Sequence, residues 1–146
     1  MMTAPQTSQR ATVGGRKRGQ GSKWCAKDKR LALYLRDGCS CAYCGRTVAL
    51  GIDATLDHVL ACELGGTNEP KNLVTACLSC NSQKRDLTLR RWFAFLRSNG
   101  TDTAKLGARI RRNTRKNLAK YRRQAKMLIS LHGYGGACTI INETQA

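Results

Sequence analysis

The chain is poor in acidic and aromatic residues, and both shortages limit what it can be. Its 146 residues include 9 Asp and Glu against 26 Lys and Arg, which gives a formal net charge of +17. This balance favours a polyanionic partner such as nucleic acid, although solubility alone or contact with ribosomal-type RNA would also account for it. Because only 5% of the residues are aromatic, we expect a thin hydrophobic core that needs support from a metal.

The sequence also lacks long hydrophobic runs. No apolar stretch approaches the roughly 18 residues that a membrane span requires, and residues 1–21 contain no apolar segment of a secretory signal. We therefore expect no membrane partner. With 8 cysteines and no signal, the composition favours the reducing cytoplasm of a bacterium or of a phage-infected host, where cysteines bind metal more often than they form disulfides.

Four of the cysteines form two Cys-x-x-Cys pairs, Cys41 with Cys44 and Cys77 with Cys80. Two such turns can supply four thiolates to one tetrahedral Zn²⁺, whereas a single pair would also fit a redox site or chance. Cys39 lies close by, but Cys41 gives the required spacing. The sequence therefore predicts a structural zinc site, and a closed four-cysteine zinc leaves no position for catalysis.

Asp57 and His58 lie between the two cysteine pairs, flanked by apolar residues typical of a strand. Neighbours in a regular strand point to opposite faces, so these two could share a site only at a strand end or a bulge. Most Asp-His pairs are ordinary surface pairs. Asn81, directly after a cysteine of the second pair, and Lys84, three residues later on the same helical face, make a functional interpretation more attractive here.

The order of these elements resembles a known family. Cys41-x2-Cys44, Asp57-His58, Gly65-Gly66, Asn72-Leu73 and Cys77-x2-Cys80-Asn81-x2-Lys84 together are similar to the zinc-ribbon-bearing form of the HNH endonucleases. The resemblance covers residues 39–86. It implies an α+β fold built on a ββα-metal unit, in which two antiparallel strands, a loop and a helix surround one catalytic divalent ion. The family commonly has proline where this chain has Ala61, which implies a less rigid loop.

The resemblance also implies roles for single residues. His58 would be the general base, Asp57 and Asn81 would bind a catalytic Mg²⁺ or Mn²⁺, and Asn72 would orient the loop that carries the base. Lys84 would add positive charge at the phosphate, unless it is simply a solvated lysine. The implied reaction is hydrolysis of DNA phosphodiester bonds, by nicking or double-strand cutting. A non-catalytic zinc-ribbon protein that binds DNA or RNA, or an RNA-binding protein of ribosomal type, remains the alternative.

The flanks of this module carry most of the charge. We expect a disordered basic arm at residues 1–22, a lead-in helix at 23–38, the nuclease module at 39–86, a basic helical extension at 87–131 and a flexible tail at 132–146. Residues 39–86 hold four Lys and Arg against five acidic residues, so the module itself is nearly neutral. Inside it, a hairpin over residues 46–60 is expected to deliver the Asp-His pair.

The extension is predicted to contain a helix over residues 87–97 and one long helix over residues 102–131. The long helix has ten Lys and Arg, and its only acid is Asp102 at the start. We interpret it as a surface for double-stranded DNA, with a homodimer or a phage packaging partner also open. The residues expected to contact DNA are Arg109, Arg112, Arg115, Lys116, Lys120 and Arg123.

Overall fold

The computed structural model describes residues 24–145, which contain one two-stranded antiparallel sheet and five α-helices. The strands are β1 (Ala54–His58) and β2 (Leu73–Cys77). The helices are α1 (Lys27–Arg36), α2 (Leu78–Lys84), α3 (Leu89–Ser98), α4 (Thr103–Arg115) and α5 (Ala119–Gln145). The basic arm expected at residues 1–22 lies outside the described residues. Within 24–145, no helix combines the length and the apolar character that a membrane span needs.

The sheet confirms the α+β class but not the expected hairpin. β1 pairs with β2 across a long connection, with Asp57 opposite Val74 and His58 opposite Leu73. The first part of the hairpin expected over residues 46–60 instead turns back onto the first cysteine pair, where Thr47 forms a bridge with Ser40. Because the backbone of Thr47 pairs with Ser40, this segment does not pair with β1, and β1 forms its hydrogen bonds with β2 instead.

A buried arginine fixes α1 to the sheet and to the loop before β2. Arg36 is 1% exposed, and its guanidinium binds the Asp37 carboxylate at 2.7 Å and the carbonyl oxygens of Pro70 and Leu73 at 2.9 and 2.7 Å. The same carboxylate accepts from the Thr75 amide at 2.8 Å. Arginine is rarely fully buried unless it is paired, and here the partners are the carboxylate of the next residue and two carbonyl groups at the start of β2 and in the loop before it.

The expected long helix over residues 102–131 is two helices, α4 and α5, because a new helix start interrupts it. The side chain of Asn117 accepts a hydrogen bond from the Ala119 amide at 2.8 Å. Asparagine is among the best residues for this N-terminal capping role. Lys116, at the end of α4, has an extended backbone conformation, so the chain changes direction there.

Residues 134–145 are helical, whereas the sequence predicts a flexible tail at residues 132–146. α5 continues past a kink at Gly133, whose φ of 76° and ψ of 166° are not helical. Beyond the kink, Cys138 and Ile141 are buried in the core. The Asn142 amide exchanges two hydrogen bonds with the backbone of Leu50, at 2.8 and 3.0 Å. Tertiary packing therefore overrides the weak helix propensity of the glycines in this segment.

Candidate active site

The four cysteines of the two Cys-x-x-Cys pairs converge as the sequence predicts. The sulfur atoms of Cys41, Cys44, Cys77 and Cys80 all lie within 4.8 Å of one another. The Cys44 and Cys77 sulfurs are 3.9 Å apart, close to the ~3.8 Å edge of a tetrahedron with Zn–S distances of about 2.3 Å. The donor set and its spacing fit one tetrahedral soft metal ion such as Zn²⁺.

Backbone amides point at two of these sulfurs. Cys41 Sγ accepts from the amides of Tyr43 and Cys44 at 3.3 and 3.4 Å, and Cys77 Sγ accepts from the Cys80 amide at 3.4 Å. Burial acts to raise the pKa of Cys77, but the Cys80 amide and the neighbouring thiols outweigh it and lower that pKa to about 7. Burial raises the pKa of Cys41 and of Cys80. Metal binding would therefore displace protons from the cluster.

Asp57 is a buried carboxylate with two partners on one oxygen. Its Oδ2 accepts from the Tyr43 hydroxyl at 2.6 Å and lies 3.1 Å from Lys84 Nζ. Burial raises the pKa of Asp57, while the Lys84 ammonium and the Tyr43 hydroxyl act in the opposite direction. Tyr43 sits between the cysteines of the first pair, so one hydroxyl links that turn directly to the carboxylate.

Lys84 is as buried as the residues of the core. Its side chain is 0% exposed, and Nζ donates to the His58 carbonyl oxygen at 3.1 Å in addition to its pairing with Asp57. The sequence-based expectation was a charge at the phosphate or a solvated helix lysine. The second is wrong, and the ammonium faces the protein interior, where it holds the end of β1 against α2.

Asn81, on the first turn of α2, faces the same side of β1 as Asp57. Its Nδ2 donates to the Thr55 hydroxyl at 2.9 Å, and Thr55 and Asp57 share one face of the strand by its two-residue alternation. The hydrogen bonds of Asp57 and Asn81 within residues 24–145 involve Asp57 Oδ2 and Asn81 Nδ2, so Oδ1 of each residue has no hydrogen bond there. Two such oxygens are suitable ligands for a hard cation such as Mg²⁺ or Mn²⁺.

His58 is the last residue of β1, and its ring contacts the loop and Trp24. Its Nε2 lies 2.7 Å from Asn68 Oδ1, and its ring centroid is 5.1 Å from that of Trp24. β1 has a regular register with no bulge, so the alternation that separates neighbours in a strand holds up to its end. The Asp57 carboxylate therefore has its partners in the interior, Tyr43 and Lys84, whereas the His58 ring has its partners at the loop and at Trp24.

The loop between the strands is fixed by Asn72. Its amide makes three hydrogen bonds: Oδ1 accepts from the Leu60 amide at 2.9 Å, and Nδ2 donates to the carbonyls of Leu60 and Thr67 at 3.0 and 2.8 Å. Gly66 allows this closure, because a Cβ at that position would lie 1.7 Å from the Leu60 carbonyl oxygen. The loop that starts directly after His58 is thus held by one side chain and one obligatory glycine.

The six basic residues expected to contact DNA differ in their exposure. Arg109 is half-buried and donates to the Cys41 and Ala42 carbonyls at 3.2 and 3.4 Å. The other five are exposed: Arg112, Arg115, Lys116, Lys120 and Arg123. Lys116 also has a contact inside the protein, because its Nζ lies 3.4 Å from the Arg36 carbonyl oxygen. Contact of these residues with DNA stays a prediction.

Several residues that contact the site residues could not be predicted from the sequence. Tyr43, Asn68 and Trp24 carry no recognisable motif, because an isolated tyrosine, asparagine or tryptophan is common in any protein. Tyr43 alone had a usable signal, since it lies inside the first cysteine turn and so had to be near the metal cluster. The contacts of the other two depend on how α1 and the loop meet in space.

Comparison with known proteins agrees with this arrangement. Residues 41–87 match the family model for the HNH endonuclease. The chain is also 34% identical over 64 residues to the CRISPR-associated endonuclease Cas9 of Corynebacterium diphtheriae (strain ATCC 700971 / NCTC 13129 / Biotype gravis). That alignment covers 43% of this chain but only 6% of the Cas9 chain. No solved structure matches the chain.

The cysteine cluster, the two strands and α2 all fall inside the matched segment. Within this α+β chain, residues 41–87 therefore form the segment that matches the HNH endonuclease domain.

Proposed function

We propose that this chain is a metal-dependent endonuclease that hydrolyses DNA phosphodiester bonds. The observation that carries the proposal is the HNH match itself, which contains Asp57, His58 and Asn81 at the junction of β1 and α2. A non-catalytic zinc-ribbon protein would have no use for these three groups together. Because the chain covers only 6% of its Cas9 relative, the activity rests on this domain alone.

The proposed roles follow from the chemistry of the three side chains. The oxygens of Asp57 and Asn81 would hold Mg²⁺ or Mn²⁺, which when bound stabilises the negative charge that develops on the phosphate. His58, the residue next to Asp57 at the end of β1, would take a proton from the attacking water. We assign Lys84 a supporting part, since its buried ammonium lies 3.1 Å from Asp57 Oδ2 and acts against the effect of burial, which raises the pKa of that carboxyl.

The structural metal would be Zn²⁺ bound by Cys41, Cys44, Cys77 and Cys80. Four thiolates in a closed tetrahedron provide folding energy and no open coordination position. Its contribution to the reaction would be positional, because the first cysteine turn carries Tyr43 and the second leads directly into α2. Zinc removal is therefore expected to disrupt both ends of the proposed catalytic centre.

A plasmid relaxation assay tests the proposal. The zinc-loaded protein, with one zinc per chain verified beforehand, is incubated with supercoiled plasmid and Mg²⁺, Mn²⁺ or EDTA. Conversion to open-circular or linear DNA with a divalent ion but not with EDTA is the expected result. Protein that retards DNA on a gel yet cuts with neither ion would instead be a zinc-ribbon binding protein.

DNA contact is proposed for the exposed arginines of α4. Each lost phosphate contact reduces the dependence of log K on log salt by about 0.9. Arg112→Ala with Arg115→Ala should therefore lower that slope by about 2, measured by fluorescence anisotropy with a labelled duplex at several salt concentrations. Arg90→Ala, an exposed arginine on α3, is the matched control and should change the slope less. Equal slopes for the double variant and the wild type would exclude α4 from the DNA interface.

A further inference from the structure

Asn68 makes the only side-chain hydrogen bond that the described residues provide to the His58 ring. The contact joins Nε2 to Oδ1 at 2.7 Å. An amide oxygen can only accept, so Nε2 must carry the proton in this contact. In the neutral ring, Nδ1 is then the nitrogen with a lone pair, and so the only ring atom able to accept a proton from water.

Asn68 is itself held from both sides. Lys29 Nζ donates to its carbonyl oxygen at 2.5 Å, which ties the loop to α1. The residue before it, Thr67, is fixed by the Asn72 amide at 2.8 Å. The asparagine therefore approaches the imidazole from a braced backbone, even though its side chain lies at the surface.

Trp24 restricts the ring from another direction. The two ring centroids are 5.1 Å apart with an interplanar angle of 35°. The Arg30 guanidinium lies 5.4 Å from the Trp24 ring centroid, a cation–π distance. Rotation of the His58 ring would break its hydrogen bond and disturb this packing, so the two contacts favour one ring orientation.

We propose that Asn68 is the positioning residue for His58: it fixes the tautomer with hydrogen on Nε2 and presents Nδ1 as the proton acceptor, while Trp24 limits rotation of the ring. The inference rests on the proposed nuclease function, in which His58 is the base. Asn68 does not touch the substrate in this scheme. Asn68 would affect the rate of cleavage only by holding the His58 imidazole in place.

Nitrogen NMR of the zinc-loaded protein tests the contact without any need for activity. The chain has 2 histidines, so ¹⁵N-histidine labelling gives a simple spectrum in which the exposed His132 serves as internal reference. At about pH 8.5, where a free imidazole is neutral, His58 should show Nε2 at the protonated limit and Nδ1 at the unprotonated limit. His132 should show the averaged values of two exchanging tautomers.

Three variants make the test specific. Asn68→Ala should move both His58 resonances toward the averaged values, whereas Asn68→Asp, which keeps an acceptor oxygen, should preserve the fixed tautomer. Asn99→Ala removes an exposed asparagine far along the chain and should leave the spectrum unchanged. In the cleavage assay, Asn68→Ala should lower kcat about 10-fold to 100-fold with KM for DNA unchanged, because misplacement of a catalytic group costs rate more than binding.

The outcomes separate this inference from the nuclease proposal. A wild-type His58 that averages like His132, or that is unaffected by Asn68→Ala, overturns the positioning role whether or not the protein cuts DNA. A fixed tautomer in a protein that cuts nothing supports the contact and refutes the nuclease. A fixed tautomer, its loss in Asn68→Ala and the drop in kcat together support both.

Discussion

Replacement of Lys84 by methionine tests whether the buried ion pair supports the end of β1. Lys84→Met keeps the length of the side chain but leaves Asp57, which is 6% exposed, with Tyr43 as its remaining partner. Removal of one member of a buried pair typically costs ~3–5 kcal/mol, because a desolvated charge loses its compensation. Protonation of Asp57 would relieve part of that cost, since burial already raises the pKa of this carboxyl.

We therefore expect Lys84→Met to lower the free energy of unfolding by about 3 kcal/mol, a large part of the ~5–15 kcal/mol typical of a small domain. Urea unfolding of the zinc-loaded protein, followed by circular dichroism, measures the change. Lys71→Met is the matched control, because Lys71 pairs with Glu69 at 3.6 Å where both side chains are exposed, at 78% and 59%. Its effect should be close to zero, as for most exposed pairs.

A double-mutant cycle shows where the effect comes from. In an Asp57→Asn background there is no buried carboxylate left to desolvate, so Lys84→Met should cost clearly less than it does alone. Equal costs in the two backgrounds would mean that Lys84 stabilises the fold through its other contact, the His58 carbonyl. A loss in Lys84→Met as small as that in Lys71→Met would refute the idea that the pair is structurally important.

Two further predictions concern a hydroxyl and a surface ion pair. Tyr43→Phe removes the hydroxyl that donates to Asp57, the proposed metal ligand. The variant should bind Mn²⁺ about 10-fold to 100-fold more weakly, as measured by electron paramagnetic resonance. Tyr34→Phe removes a hydroxyl that donates to the Ala54 carbonyl and is the control; an equal loss of Mn²⁺ affinity in both variants would contradict a specific role of Tyr43. The hydrogen bond from Arg122 lowers the pKa of Asp28 below its ordinary value of 3.8. The stability that this ion pair adds to the fold is therefore fully present well above pH 3.8, and it is lost as the pH falls through the lowered pKa of the folded protein. Asp28→Asn should therefore lower the free energy of unfolding at pH 7 by about 0.5 kcal/mol, as measured by urea titration. Below pH 3.8 the difference between the variant and the wild type should become smaller, and a larger difference at low pH would contradict the prediction.

Local sequence patterns were sufficient for the elements built from consecutive residues. The spacing of Cys41, Cys44, Cys77 and Cys80 predicted a cluster, and the structure brings their sulfurs together. The lead-in helix and the strand that carries the Asp-His pair also follow from short-range periodicity. The match of residues 41–87 to the HNH family confirms the resemblance that these elements suggested.

Contacts between distant segments could not be predicted in this way. The burial of Arg36 depends on carbonyl groups of the loop before β2, more than thirty residues away. The glycines after residue 132 suggested a flexible tail, but the bonds between Asn142 and Leu50 hold that segment as a helix. In both cases tertiary partners decided the outcome, and local propensity carries no information about them.

The position of Lys84 illustrates the same limit at the site itself. Its place on the helix, three residues after Asn81, was correctly inferred from sequence. Whether its ammonium faces solvent or protein depends on how closely α2 packs on β1, and that distance has no sequence signature. The sequence left open a charge at the phosphate or a solvated lysine; the structure excludes the solvated lysine and shows the ammonium paired with Asp57.

The most direct test of the nuclease proposal is cleavage of an end-labelled DNA duplex by excess protein with Mn²⁺. The comparison is between His58→Ala and His132→Ala, after both variants are shown to be folded and to hold one zinc per chain. Loss of a general base typically costs 10²–10⁴-fold in rate, so His58→Ala should cut at least ~100-fold more slowly while His132→Ala cuts like the wild type. Equal cleavage by both variants, or none by the wild type, would contradict the assignment of this domain as a nuclease with His58 as its base.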